Sequence, residues 1–234
     1  MERIAIDLKK EQQASRARPR YPYSAVARVF FGSMDMLTGR ETTLAKAKLV
    51  EILATVPYRA WEQREHARVT RHKGDRALVQ EAGAIMSWGR EAQDNEHWHL
   101  LLIEEKIRED SAQDPWYLSA PLPSLMVGPY ALLTWTMARV AIRRAFLLNA
   151  EFEDHAEHTY AQLVEDHPEW EDQPVASAVV QEYGSFRSWA DVFRRVGLDE
   201  RDHMNNSFVF SGTPENVVEY EGMPTAAGAG PLAA

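Results

Sequence analysis

Apolar residues recur along this chain of 234 residues every three or four positions, which is the spacing of helices. Sustained two-residue alternation and runs of β-branched residues are scarce, so the pattern predicts an all-α protein. The predicted helical segments are 24–37, 44–69, 76–108, 124–165, 175–183 and 186–208. Gly39 ends the first of them, Thr43 is a candidate N-cap for the second, and Pro57 predicts a kink inside it.

The order of these segments divides the chain into a basic N-terminal arm, one helical domain and a C-terminal tail, at residues 1–23, 24–210 and 211–234. Arg16, Arg18 and Arg20 lie close together in the arm. The tail ends in small residues and glycines, which predict disorder. Residues 1–13 are polar and charged, so we expect no secretory signal there.

Composition and charge exclude several classes of protein. The chain has 35 acidic and 26 basic residues, and its net charge of −9 argues against nucleic acid as the main partner. No cysteine is present, which excludes disulfides, thiol catalysis, iron–sulfur clusters and cysteine-based zinc sites. The uncharged stretch 115–138 is long enough to span a bilayer, but prolines interrupt its first half. We therefore expect no spanning helix, whereas a shallow interfacial helix stays open.

Two Glu-x-x-His segments are the clearest chemical feature of the sequence: Glu96 with His99, and Glu200 with His203. Residues three apart on a helix point the same way, so each pair presents a carboxylate and an imidazole to a common point. Isolated Glu51 and Glu153 lie in two other helical segments. Two such pairs, with one Glu from each of two further helices, form the ligand set of di-iron and di-manganese carboxylate bundles.

Chance is the main alternative, because an acid-rich chain carries such spacings on solvated helix faces. Asp94 and His97 form a competing Asp-x-x-His pair on a neighbouring face of the same segment. Glu153 has three acidic neighbours that could replace it, namely Glu151, Asp154 and Glu157. Glu51 favours the metal site, because a lone carboxylate among apolar residues costs free energy unless a cation meets it. From spacing alone, both interpretations stay open.

The residues around these positions resemble segments of the alternative oxidases. The matching segments, in chain order, are 50–58 (VEILATVPY), 95–100 (NEHWHL), 153–160 (EDHAEHTY) and 199–203 (DERDH). They are similar to the family segments Leu-Glu-Thr-(Ile/Val)-Ala-x-Val-Pro, Asn-Glu-x-x-His-Leu, Glu-x-(Glu/His)-Ala-x-x-Thr-Tyr and Asp-Glu-Ala-x-His. The resemblance covers roughly residues 30–206. The Val-Pro-Tyr after Glu51, the pair His155-Ala156 and residues 191–193 (DVF) look most like the plastoquinol terminal oxidase branch.

The resemblance implies a role for each matching residue. The implied iron ligands are Glu51, Glu96, His99, Glu153, Glu200 and His203. Tyr160 matches a tyrosine beside the di-iron centre that takes part in electron transfer, and Asn95 and Asp199 match positions that orient ligands. The implied quinol pocket is formed by Lys46, Val50, Phe152, His155, Ala156 and Thr159. Lys46 stands where the family usually has arginine, and Arg201 and Asp202 stand where it commonly has small or neutral residues.

A family of this kind implies a ferritin-like antiparallel four-helix bundle with additional short helices, attached to one leaflet of a bacterial inner membrane or a thylakoid membrane. It implies an enzyme with two iron ions that oxidises ubiquinol or plastoquinol and reduces O₂ to water without pumping protons. The apolar segments 122–148 and 23–37 are the predicted lipid contacts, with Arg139, Arg143 and Arg144 reaching to headgroups. A buried helix or a homodimer interface is the alternative for both segments.

Two other functions stay open. The first is another di-iron carboxylate enzyme, such as a quinone-precursor hydroxylase. The second is a metal-binding or metal-storage helical bundle without catalytic activity. Iron content separates the second from both enzymes, and quinol-dependent O₂ uptake separates oxidase from hydroxylase.

Overall fold

A computed structural model describes residues 6–224, and over this range the protein is all-helical and contains no strand. The α-helices are α1 (Leu8–Ala17), α2 (Ala25–Thr38), α3 (Leu44–Arg71), α4 (Arg76–Glu109), α5 (Leu122–Val140), α6 (Ile142–Asp166), α7 (Ala178–Tyr183) and α8 (Trp189–Ser211). Three single-turn 3₁₀ helices lie at Trp116–Leu118, Pro168–Glu171 and Pro214–Asn216. The predicted all-α class is confirmed for the described residues.

Most long helices begin at a residue whose side chain caps the first turn. The Thr43 hydroxyl accepts a hydrogen bond from the Lys46 backbone N–H at 3.2 Å, which confirms the predicted N-cap of α3. Asp75 and Ser188 cap α4 and α8 in the same way. Gly39 follows α2 with a φ of 87°, a left-handed conformation that glycine adopts without steric cost.

The predicted single helix over 124–165 is wrong, because the chain breaks at Ala141 between α5 and α6. Ala141 has φ −153° and ψ 62°, outside the helical region, although its N–H still donates to the Met137 carbonyl oxygen at 2.8 Å. Helix α5 packs mainly against α3, whereas α6 packs mainly against α8. The chain must therefore change direction, and no proline or glycine marks the position. Pro57, by contrast, lies inside one continuous α3, and the kink stays a prediction.

The predicted basic arm contains a helix that the apolar pattern did not indicate. Helix α1 packs against α6 and α8. After it, Arg18 donates hydrogen bonds of 2.6 Å to both Asp154 and Glu157 of α6. At the other end, Val217 and Val218 of the predicted tail pack against an apolar cluster around Phe208. Residues 225–234, where the disorder prediction also falls, lie outside the described residues.

Four helices carry the candidate ligands: α3, α4, α6 and α8. Each of them contributes residues to two apolar clusters. One cluster contains Leu102, Tyr160, Trp170, Trp189 and Phe193. The other contains Tyr58, Trp61, Trp88, Phe146 and Phe210. On every one of these helices the candidate ligands lie between the residues of the two clusters, so the clusters shield the acidic centre from solvent. Among the described residues, no helix combines the length and the apolar character needed to cross a membrane.

Candidate metal centre

The structure brings all six predicted ligands together in the middle of these helices. They form two overlapping groups, Glu51, Glu96, His99 and Glu200, and Glu96, Glu153, Glu200 and His203. Within each group, one ligand atom per residue lies within 4.8 Å of the others, and every member is buried. Glu96 and Glu200 belong to both groups. The arrangement therefore offers two adjacent positions for metal ions, with two carboxylates available to bridge them.

The carboxylates and imidazoles of the two Glu-x-x-His pairs lie close together without hydrogen bonds to one another. His203 Nδ1 is 2.9 Å from Glu96 Oε1, and His99 Nδ1 is 3.1 Å from Glu200 Oε1. These contacts lack hydrogen-bond geometry, so both carboxylate oxygens of Glu96 and Glu200 and both Nδ1 atoms have no hydrogen-bond partner among the described residues. Buried polar atoms normally have a partner. A concentration of such atoms at one point fits a set of donors that bind a metal ion.

The balance of charged groups at the centre also favours a bound cation. Burial, together with repulsion by Glu96 and Glu200, raises the pKa of both Glu51 and Glu153 well above the usual range of a glutamate. Burial alone would raise the pKa of Glu96 as well, but the adjacent His203 and His99 lower it. The centre has four carboxylates against two imidazoles. A divalent cation would supply the missing positive charge and favour the ionised carboxylates.

Two tyrosines connect α3 and α6 across the centre, and each donates a hydrogen bond to the candidate ligand of the other helix. Tyr160 lies seven residues after Glu153, and its hydroxyl donates to Glu51. Tyr58 lies seven residues after Glu51, and its hydroxyl donates to Glu153 at 2.7 Å. Asn149 donates to the same Glu153 oxygen at 2.8 Å. Sequence analysis singled out Tyr160 but missed Tyr58 and Asn149, although the shared seven-residue spacing could have indicated Tyr58.

The predicted orienting residues differ in their contacts. Asp199 Oδ2 lies 3.5 Å from His99 Nε2, and Asp199 is itself held by Arg195 and Tyr183. Asp199 is therefore placed to orient the imidazole of His99. Asn95 Oδ1 is buried without a hydrogen-bond partner among the described residues, so no orienting contact by Asn95 is present.

The competing acidic residues lie away from the centre. Asp94 and His97 are exposed on α4. Glu151 accepts a hydrogen bond from Ser24, whereas Asp154 and Glu157 accept from Arg18. The neighbours of Glu153 thus bind the N-terminal part of the chain on other faces of α6.

An apolar pocket reaches the centre from one side. Its lining includes all six residues predicted for a quinol pocket, which are Lys46, Val50, Phe152, His155, Ala156 and Thr159. Phe30 and Phe31 of α2 complete its walls, and Glu51, Glu153 and Tyr160 also line it. The pocket therefore leads to carboxylates of both groups.

Two polar side chains of this pocket already have partners. The Lys46 ammonium donates to the Gly39 carbonyl oxygen at 3.0 Å and to Asp35. The His155 ring stacks on Phe31 at 3.9 Å between centroids, and its Nδ1 lies 3.0 Å from Arg20. Burial and the charge of Arg20 lower the pKa of His155 to about 4. His155 is therefore neutral at pH 7, and because its Nδ1 accepts from Arg20, its Nε2–H is left to donate to a ligand in the pocket.

No protein-family model matches this sequence, and a comparison with curated proteins also finds no match. The resemblance to alternative oxidases therefore depends on the four segments alone, and all the predicted metal and pocket residues within them lie at this centre or line its pocket.

Proposed function

We propose that this protein is a quinol oxidase of the alternative oxidase type, nearest to its plastoquinol terminal oxidase branch, with two iron ions at the candidate metal centre. The observation that carries the proposal is the pair of ligand groups sharing Glu96 and Glu200 at the inner end of an apolar pocket. Helices α3, α4, α6 and α8 would then form the ferritin-like antiparallel four-helix bundle that holds such centres.

The donor set suits iron. Hard carboxylate oxygens with a few imidazoles favour iron and manganese over zinc, which prefers fewer ligands in a tetrahedral arrangement. Bound iron would supply the O₂ binding and the redox chemistry that protein side chains lack. The chain's own task is to hold the ions, to keep water away from them and to handle protons.

The pocket would take up quinol, whose ring fits between aromatic and aliphatic side chains. Oxidation of two quinols releases four electrons and four protons, which is what reduction of one O₂ to two waters consumes. Glu51 lines the pocket and accepts the Tyr160 hydroxyl. Its carboxylate therefore lies on the side of the centre where a bound quinol would release its protons. Neutral His155, whose Nδ1 accepts from Arg20, is placed to donate its Nε2–H to a quinol oxygen.

Quinols dissolve in lipid, so the proposal includes attachment to one leaflet, in a bacterial inner membrane or a thylakoid membrane. Large apolar side chains are exposed on α2 and α5, namely Val26, Val29, Met36, Leu125, Leu132, Leu133, Trp135 and Val140. Arg139 lies over the Trp135 ring at 3.5 Å, beside this surface. Phe30 and Tyr130 of the same helices line the apolar pocket. A lipid surface in contact with α2 and α5 would therefore meet the pocket walls.

The test is O₂ uptake by the iron-loaded protein with ubiquinol and plastoquinol analogues in the presence of cyanide. We expect cyanide-insensitive uptake of one O₂ per two quinols, and its loss in Glu153→Ala. Glu151→Gln is the matched control, because Glu151 lies two residues away and contacts Ser24 instead. Iron-loaded protein that consumes no O₂ with any quinol would overturn the proposal. Oxygen incorporated into the ring would indicate a hydroxylase, and iron bound beyond two ions per chain would indicate storage.

A further inference from the structure

A second cavity reaches the centre from a different side. It has a volume of about 210 Å³ and lies between α4, α8 and the segment after α8. It shares no lining residue with the apolar pocket, to which α4 and α8 contribute only the ligands Glu96 and Glu200. The ligand His203 forms part of its wall. Two openings that have no lining residue in common thus lead to the centre.

The two openings differ in chemistry. Polar and acidic side chains of the second cavity are Glu91, Asn95, Asp199, Asp202, Asn205 and Asn206. Asn95 Oδ1 is buried there without a hydrogen-bond partner among the described residues. Exposed Glu219 and Glu221 lie within the segment that borders the cavity. Apart from the candidate ligands, the charged side chains that line the apolar pocket are Lys46 and Asp35, which pair with each other.

A divalent metal ion is strongly hydrated, and it moves from water to carboxylates most easily along oxygen atoms that replace its water ligands. The second cavity offers such oxygens, and Arg195 balances part of the charge of Asp199 and Asp202. Outside the ligands the apolar pocket is lined mainly by aromatic and aliphatic side chains, so an ion passing along it would lose water with little replacement. The polar cavity therefore suits the passage of a metal ion, whereas the apolar pocket suits a quinol.

A short segment without regular structure covers the second cavity. Residues 217–224 follow the last 3₁₀ turn, and Val217, Met223 and Pro224 line the cavity. Asn205 holds the segment by a reciprocal pair of hydrogen bonds with the Val218 backbone, at 2.9 Å and 2.8 Å. Tyr220 adds bonds to Asp202 at 2.8 Å and 2.9 Å. Opening the segment would break these few bonds and the packing of Val217 and Val218 on the Phe208 cluster, without disturbing any helix.

We propose that this polar cavity is the entry route for divalent metal ions to the centre, and that residues 217–224 form a cover that must open for loading. The inference rests on the proposed metal centre. The ion would pass Glu91 at the rim and the oxygens of Asn95 and Asp202, and would reach His203 first.

The route is tested by the rate at which metal-free, full-length protein takes up Co²⁺, followed by stopped-flow absorption of the bound ion. Asn206→Phe places a ring in the cavity and should slow uptake, and it should equally slow removal of bound Co²⁺ by a chelator. Asn205→Ala releases the Val218 backbone and should speed uptake about tenfold, equivalent to about 1.4 kcal/mol of lost hydrogen bonding. Ala54→Phe, which narrows the apolar pocket instead, is the matched control and should leave the uptake rate unchanged.

Equilibrium binding separates failure of the route from failure of the centre. If the unmodified protein binds no Co²⁺ at the carboxylate–histidine groups, both the centre and the route are refuted. If it binds two Co²⁺ ions while Asn206→Phe and Asn205→Ala load at the unmodified rate, the route alone is refuted. Slower loading in Ala54→Phe than in Asn206→Phe would place the entry in the apolar pocket. The opposite signs expected for Asn206→Phe and Asn205→Ala exclude a general folding defect as the cause.

Discussion

The two overlapping ligand groups make a quantitative prediction about metal stoichiometry. Glu51 belongs to one group, whereas Glu200 belongs to both. Glu51→Gln should therefore abolish tight binding of one ion and retain the other, and Glu200→Gln should weaken both. Neither change should destabilise the metal-free protein, because each removes one of several mutually repelling buried carboxylates.

The size of the effect follows from linkage between binding and folding. An ion present at a hundredfold excess over its dissociation constant stabilises the folded protein by about 2.7 kcal/mol per site. In a domain of this size each kcal/mol raises the melting temperature by about 2–4 °C. Two ions should therefore raise the melting temperature of the unmodified protein by about 10–20 °C. The shift should be roughly halved in Glu51→Gln and smaller still in Glu200→Gln.

The assay is thermal unfolding with and without anaerobic Fe²⁺, paired with elemental analysis of bound metal. Glu151→Gln serves as the control and should behave like the unmodified protein, since its carboxylate contacts Ser24. Equal losses of metal in Glu51→Gln and Glu200→Gln would refute the assignment of Glu200 as a shared ligand. Absence of any stabilisation by Fe²⁺, Mn²⁺ or Co²⁺ in the unmodified protein would refute the metal centre itself.

Three further predictions concern stability away from the ligands. Trp61 is fully buried in the aromatic cluster, so Trp61→Ala should lower the free energy of unfolding by about 3–5 kcal/mol in urea denaturation. Arg201 is buried and donates to Glu157 at 2.8 Å and to Glu11 at 2.6 Å, so Arg201→Met should cost about 3–5 kcal/mol by the same measurement, because Glu11 loses its guanidinium partner and Glu157 loses one of two. Hydrogen bonds from Arg194 lower the pKa of Glu171 from 4.5 to about 2. Since this folded-state pKa lies below the unfolded value, the stabilisation is present above pH 4.5 and is lost as pH falls towards 2, and Glu171→Gln should flatten the stability–pH curve in that window.

Each of these predictions has a contrary result. A change of less than about 1 kcal/mol in Trp61→Ala would mean that the aromatic cluster is not a packed core. A stabilising Arg201→Met would mean that the cost of burying the ion pairs exceeds their attraction. An unchanged acid transition in Glu171→Gln would mean that solvent screens the pair with Arg194, since the Glu171 side chain is 35% exposed.

Local spacing along the chain was enough to predict the helical class and the pairing of Glu with His within α4 and within α8. A helix turns by a constant angle per residue, so two residues three apart share a face whatever the rest of the protein does. The N-cap at Thr43 is local for the same reason, because it needs only the next turn of backbone. The family-like segments extended the prediction to Glu51, Glu153 and the pocket.

Only the tertiary structure decided which side chains meet across helices. The break at Ala141 follows from the different packing partners of α5 and α6, and no residue there signals it. The selection of Glu153 over its acidic neighbours depends on Arg18 and Ser24, which bind those neighbours on other faces of α6. The bond from Tyr58 to Glu153 joins residues 95 positions apart. Such contacts depend on how whole helices pack, and packing free energy comes from many distant residues together rather than from any one stretch of sequence.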